Sequence, residues 1–273
     1  MDRGLVPTRS RGQALVMAGQ VRVGDGDRAR TDRKPGDMVD PAVPVSLVEQ
    51  PPFVSRGGEK LAAALDAFAV DPAGLVCLDV GASTGGFTDV LLQRGAAKVY
   101  AVDVGRGQLA DALRRDPRVV SLERTNARNL RADSLPGGVA LAAIDVSFIS
   151  LRLILGPVVR CFGPSGGSIV ALVKPQFEAG RGATDRGVVR DPAVHRQVLE
   201  DVARHAADIG LVPLGVVASP LLGPQGNREF FLHLSVEHPG VEHPGVGHPR
   251  VGGQAAGLER VAVGEAIGRV TGG

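Results

Sequence analysis

The chain has no tryptophan, one tyrosine and only two cysteines among 273 residues, and aromatics make up 3% of it. With so few rings, the core must be built mainly from Val, Leu and Ala, as in folds with buried parallel sheets. Cys77 and Cys161 each sit in an apolar run. Two such thiols exclude a disulfide framework and offer no zinc spacing, so they are expected to be free, and no metal site is expected. No stretch approaches the roughly 20 apolar residues of a bilayer span. Met1-Asp-Arg-Gly leads into polar sequence rather than a secretory signal. These absences point to a cytoplasmic protein with no membrane partner. Net charge is also nearly absent, at +2.

What charge there is lies unevenly. Residues 1–34 carry eight basic side chains (Arg3, Arg9, Arg11, Arg22, Arg28, Arg30, Arg33 and Lys34) against four acids. Such a segment fits either a polyanion partner or a solvated surface. Helical periodicity over Arg9–Ala18, closed by Gly19, is followed by strand-like pieces at Gln20–Gly24 and Val45–Val48. Residues 1–50 are therefore expected to form a small α+β unit, and Pro51-Pro52 stiffens a short linker after it.

Strand and helix signals alternate beyond the prolines. Strands are expected at Leu75–Val80, Lys98–Val104, Val119–Leu122, Leu141–Val146, Ser168–Val173, Leu211–Ala218 and Arg228–Leu234. Helices are expected at Glu59–Phe68, Gly86–Arg94, Gln108–Arg114, Leu151–Cys161 and Pro192–Ile209. This spacing predicts an α/β domain over 51–234 with a mostly parallel seven-stranded sheet. Only a loop joins the last two strands, so they are expected to close the sheet as an antiparallel hairpin. Three pentapeptides come next, Val236-Glu-His-Pro-Gly, Val241-Glu-His-Pro-Gly and Val246-Gly-His-Pro-Arg. A proline every five residues forbids regular structure, so a disordered linker is expected over 235–256 and a closing helix over 257–273.

The chemistry concentrates at strand ends. Leu75-Val-Cys-Leu-Asp-Val-Gly-Ala-Ser-Thr-Gly-Gly-Phe-Thr88 reads as a buried strand, a glycine turn and a helix start. An acid, Asp79, precedes the turn, and no Lys or Arg comes after it to meet a phosphate. That pattern suits a ligand with a positive centre and no phosphates, such as S-adenosylmethionine, over a dinucleotide with its Gly-x-Gly-x-x-Gly turn. Asp103 ends the next strand, where an acid can accept from both ribose hydroxyls. Asp145 ends an otherwise apolar strand and Lys174 ends the following one, just before Pro175. Charges on buried strands need partners, so the two are expected side by side at the rim, as a catalytic pair or a structural salt bridge.

With Lys60 in Ser55-Arg-Gly-Gly-Glu-Lys60 and Glu229 in Gly226-Asn-Arg-Glu-Phe-Phe231, these residues make a Lys-Asp-Lys-Glu set. That set resembles the tetrad of the FtsJ-like ribose 2′-O-methyltransferases. Glu123-Arg-Thr-Asn-Ala-Arg, Asp145-Val-Ser-Phe-Ile-Ser, Val173-Lys-Pro-Gln-Phe-Glu and Ser219-Pro extend the resemblance to the TlyA branch, known as hemolysin A or ribosomal RNA methyltransferases. Arg9-Ser-Arg-Gly-Gln-Ala-Leu-Val-Met-Ala-Gly-Gln-Val-Arg-Val23 is similar to the RNA-binding module named after small-subunit ribosomal protein four. The family's first helix has no counterpart before Arg3, so the module is expected to be N-terminally truncated.

The resemblance implies a Rossmann-like, S-adenosylmethionine-dependent methyltransferase acting on cytidine ribose in ribosomal RNA of the small subunit, the large subunit or both. It implies Lys60, Asp145, Lys174 and Glu229 as catalytic. Lys174 would be the general base, made easier to deprotonate by nearby Lys60, with Asp145 and Glu229 orienting the lysines. Asp79, Gly81, Ala82, Ser83, Gly85, Gly86, Phe87, Asp103 and Asn126 are the cofactor-binding candidates, with Asn126 at the adenine edge or merely capping a turn. Arg9, Arg11 and Arg22 are the RNA-binding candidates. The basic, glycine-rich loop Glu178–Gly187 is expected either to close over RNA or to be plain surface. The competing functions are a non-catalytic RNA-binding or ribosome-assembly protein, a membrane-lytic hemolysin and, more remotely, a nicotinamide dehydrogenase.

Overall fold

The strand segments of the larger half are predominantly apolar, and those at the centre of its sheet are buried on both faces. The computed structural model describes residues 3–26, 29–48, 51–180, 182, 184–237 and 255–272, as two units, Met1–Pro52 and Phe53–Gly273. The repeat linker expected over 235–256 lies, apart from its ends, outside the described residues.

In the first unit, helix α1 (Arg9–Met17) is capped by Thr8, whose Oγ1 accepts from the Arg11 N–H at 3.2 Å. Strands β1 (Val21–Val23) and β2 (Val45–Leu47) pair antiparallel. Among its described residues, Leu15 and Val23 are the buried apolar side chains, while Met17 and Met38 are exposed. So thin a core can contribute only a few kcal/mol at ~1.5–3 kcal/mol per buried side chain. Arg9, Arg11 and Arg22 all point to solvent.

The second unit runs α2 (Arg56–Phe68), β3 (Val76–Val80), α3 (Gly86–Gln93), β4 (Lys98–Val102), α4 (Asp111–Arg114), β5 (Val119–Leu122), β6 (Leu141–Ile144), α5 (Leu155–Val159), β7 (Gly167–Val173), α6 (Pro175–Glu178), α7 (Pro192–Asp208), β8 (Leu211–Ala218), β9 (Phe230–Val236) and α8 (Ala255–Thr271). The sheet order is β5-β4-β3-β6-β7-β9-β8. Strands β3 to β7 are parallel, and β9 pairs antiparallel with both β7 and β8. The expected α/β sheet with its closing antiparallel hairpin is what forms.

Strand alternation sorts the core. Leu78, Val80, Ala142, Ile144, Ile169 and Ala171 pack with side chains of α5, α7 and α8. Cys77, Leu141, Ala143, Val170 and Leu172 pack on the other face with α2 and α3. Both cysteines are free and buried, and desolvation pushes their thiols up to about 12 for Cys77 and about 11 for Cys161. Helix α7 starts at an Asp191 cap with Pro192 in its first turn and lays Val198, Leu199, Val202 and Ala206 on the sheet.

Several elements are shorter than their patterns suggest. Helix α4 begins at Asp111 rather than Gln108, and the Leu151–Cys161 segment divides into a 3-10 turn (Leu151–Leu153) and α5, with Pro157 in the latter. Strand β6 stops at Ile144 and β9 starts at Phe230, which puts Asp145 and Glu229 on the loops that flank those strands. Because β4 and β6 flank β3, the chain reverses its direction of winding there. A crevice opens outside the carboxyl ends of strands at such a point.

Candidate active site

The crevice is built on backbone. The Gly81 and Ala82 N–H groups donate to the Val102 carbonyl, and the Asp145 N–H donates to the Val80 carbonyl, fixing the loops after β3 and β6. Gly81 adopts φ +86, and a Cβ there would collide with the Asp145 carbonyl. Gly85 sits at φ +98, hard against Leu109 and Leu113, and a Cβ on Gly86 would collide with Ser55 Oγ. The glycines are therefore needed for close approach as well as for turning. Ser83 accepts the strained φ of +49.

The cleft so formed, about 210 Å³, is lined by Ser55, Arg56, Gly57, Lys60, Gly81, Ala82, Ser83, Thr84, Gly86, Phe87, Asp145 and the loop Leu222–Pro224. A narrower continuation passes Ala82, Ser83, Asp103, Gly105, Gln108, Leu109 and Glu123. Asp103 Oδ2 accepts from the Ser83 N–H at 2.8 Å and Oδ1 from the Gly105 N–H at 2.7 Å. These bonds aim the carboxylate and leave lone pairs on both oxygens.

Asp79 lies beneath the turn and is fully buried, so it does not line the cleft. Its Oδ2 accepts from the Thr88 N–H at 2.8 Å and from Thr88 Oγ1 at 2.6 Å, tying β3 to the first turn of α3, while Oδ1 has no hydrogen-bond partner. Desolvation raises its carboxyl to about 7, the Thr88 bonds oppose that, and the charges of Asp145 and Asp103 add to it. Three carboxylates thus converge on the glycine turn with an orphaned acceptor among them. That donor set fits a cationic ligand. Asn126 is exposed, and its Oδ1 caps a 3-10 turn by accepting from the Arg128 N–H at 3.0 Å. Of the two sequence readings for Asn126, the turn cap is the one seen.

The four charged residues assemble as two ion pairs. Lys60 Nζ lies 2.6 Å from Glu229 Oε2, across 169 residues of chain, and both side chains are buried. Lys60 is buried because it falls on the same stripe of α2 as Leu61, Ala64 and Leu65. Lys174 Nζ lies 2.6 Å from Asp145 Oδ1 and also donates to Ser147 Oγ at 2.9 Å. The side-by-side placement expected from neighbouring strand ends is present. Lys174 is 9% exposed, however, so it is buried rather than on the rim, and it meets the cleft through Asp145. Each lysine has its own carboxylate, which offsets the charge Lys60 was expected to impose on Lys174.

Three supporting residues stand inside the quoted motifs with no role read for them as site residues. Ser147 is an exposed loop serine within Asp145-Val-Ser-Phe-Ile-Ser. Glu178, expected in an RNA-closing loop, is buried and ends α6. Its Oε2 accepts from Ser150 Oγ and its Oε1 from the Leu151 N–H, each at 2.6 Å, binding the loop after β7 to the loop after β6. The signal for α6 was present: Pro175 in a first helical turn with Glu178 three residues on. Asn227, 2% exposed, accepts from the Val189 N–H and donates to the Gly187 and Pro224 carbonyls, holding the approach to Glu229. A Cβ on Gly223 would strike Glu229 Oε1, so that loop also requires glycine.

Among the described residues no helix is long and apolar enough to cross a membrane. The model of FtsJ-like methyltransferases matches residues 53–236. A 16S/23S rRNA (cytidine-2′-O)-methyltransferase TlyA of Mycobacterium tuberculosis is 50% identical over 238 residues, covering 86% of this chain and 87% of the relative. Hemolysin A of Brachyspira hyodysenteriae is 37% identical over 237 residues, covering 86% and 97%. The solved structure of a hemolysin candidate from Streptococcus thermophilus, 41% identical, superposes with a TM-score of 0.69 over 98% of this chain and 92% of its own.

Proposed function

The chain belongs to the FtsJ-like methyltransferase family, and from that premise we propose that it methylates the 2′-hydroxyl of cytidine in ribosomal RNA, in the cytoplasm, with S-adenosylmethionine as methyl donor. The observation that carries this reading is the assembly of Lys60, Asp145, Lys174 and Glu229 as two ion pairs beside the glycine cradle, the first buried and the second opening to the cleft through Asp145.

When bound, S-adenosylmethionine supplies a methyl group already activated by its sulfonium. The backbone of Gly81, Ala82, Ser83, Gly85 and Gly86, with Phe87 behind it, would hold the methionine part, and Asp103 the ribose. The protein's remaining task is to position the RNA hydroxyl and take its proton. Lys174 is the base: as the RNA oxygen takes the methyl group that the sulfonium would release, the O2′–H bond breaks and its proton passes to Nζ. Asp145 holds Lys174 and supports the ammonium formed on it. Lys60 and Glu229 fix the opposite wall. Arg9, Arg11 and Arg22 contact RNA phosphates, which give affinity and register. Mapping of 2′-O-methyl cytidines in ribosomal RNA from cells with and without this protein tests the function. Unmodified subunits incubated with tritiated S-adenosylmethionine should acquire label, and identical methylation maps would refute the assignment.

Asp79 adds a pH dependence. Its folded pKa of about 7 lies above the unfolded value, so its contribution to folding is present in acid and is lost as pH rises through about 7. A cation in the cleft favours the ionised form. Binding of S-adenosylmethionine should therefore tighten as pH rises from 6 to 8, with a slope of at most about tenfold per unit below the pKa. S-adenosylhomocysteine, which lacks the sulfonium charge, should show a shallower slope. Calorimetric titrations of both ligands would check this, and equal, flat profiles would remove Asp79 from the binding electrostatics.

A further inference from the structure

We infer that Ser147 is a positioning residue that limits the direction of the Lys174 lone pair; this rests on Lys174 acting as the base. A lysine ammonium has three N–H bonds around Nζ. In this structure Asp145 Oδ1 lies 2.6 Å from Nζ and Ser147 Oγ accepts from it at 2.9 Å. The Asp145 contact is one of charge, without hydrogen-bond geometry, so the bond to Ser147 Oγ is the contact that orients the N–H bonds on Nζ. When Lys174 is neutral, one N–H stays on Ser147 Oγ, which limits where the lone pair can point. With Asp145 alone, no directional bond would stop the amine from rotating about the Cε–Nζ bond. The lone pair would face the hydroxyl only part of the time.

The loop carrying Ser147 is held for this purpose. Phe148 adopts φ +63, a conformation costly for an aromatic residue, and its ring packs on Phe177 at 4.9 Å. Two residues further on, Glu178 takes both Ser150 Oγ and the Leu151 N–H. Phe177 and Glu178 both lie on α6, directly after Lys174, so base and hydroxyl are locked together by one short segment on each side. An exposed serine with no such role would not require a strained neighbour and a buried carboxylate to hold its loop.

The test compares S147A, S147T and K174A in the full chain, with unmodified ribosomal subunits as substrate. S147A should lower kcat about tenfold, well inside the ~10²–10⁴ that a positioned base supplies. The KM for RNA and the Kd for S-adenosylmethionine should stay within about twofold. S147T keeps the hydroxyl and should restore most of the rate. Without any turnover, 15N relaxation of the Lys174 side-chain nitrogen should report greater mobility in S147A than in the parent or in S147T. Full kcat in S147A overturns the inference, as does a loss that S147T fails to repair or one confined to KM. K174A separates the two ideas. If it remains active, the base assignment itself fails; if it is dead while S147A is fully active, only the role of Ser147 fails.

Discussion

Replacing Lys174 with alanine should lower the methyl-transfer rate by at least ~10²–10⁴, the range a positioned general base contributes, while binding of S-adenosylmethionine stays within about twofold. The loss should fall on kcat, because Lys174 does not line the cleft that the cofactor would occupy. The fold should survive. The Asp145 side chain keeps 24% of its exposure, so water can solvate the carboxylate left behind. Lys174→Arg sharpens the result. Arginine keeps the positive charge and can still bond Asp145, but it cannot give up its proton. A lysine that served only as a fixed charge would tolerate the change, whereas a base would not. Single-turnover transfer to unmodified subunits, with ligand affinity measured in parallel, decides the matter. An active Lys174→Arg variant would end the general-base assignment.

A second large effect is expected at Lys60 and Glu229. Their side chains are 11% and 0% exposed. Glu229→Leu would strand the Lys60 charge in the interior, at a cost of about 3–5 kcal/mol. For a unit of this size that is a fall in Tm on the order of 10 °C. The paired change Lys60→Met with Glu229→Leu removes both charges together, and its Tm should return to the parent value or above it. Methyl transfer should nonetheless stay lost in both variants. Thermal unfolding and transfer assays on the single and double variants separate the two contributions. A stable double variant with parental activity would mean that the pair serves only the fold.

Much of the fold was legible because each of its determinants is local. Apolar runs such as Leu141–Ile144 mark strands buried on both faces. The Asp191-Pro192 start and the spacing of Val198, Leu199, Val202 and Ala206 mark α7. The loop-only connection from Ala218 to Phe230 requires an antiparallel partner. Boundaries slipped where a local breaker competed with periodicity, as at Pro157 within the segment Leu151–Cys161. The site was legible as a set of residue types: acids and lysines placed where apolar runs stop are costly to bury and therefore informative.

The chain by itself determined which strands form, where glycines let the backbone turn tightly after β3, and which charged residues lie at strand ends. Tertiary structure alone decided the pairing of those charges, Lys60 with Glu229 and Lys174 with Asp145, because that pairing depends on strand order and on the face of α2 that meets the sheet. It also brought Ser147, Glu178 and Asn227 into the site, since a hydrogen bond between two loops leaves no periodic trace in either. The glycine turn shows the same division. Its glycines can be read from sequence, but the positive φ of Ser83 cannot, and the reason Gly81 and Gly86 can carry no side chain is the Asp145 carbonyl and the Ser55 hydroxyl, which only the fold sets against them.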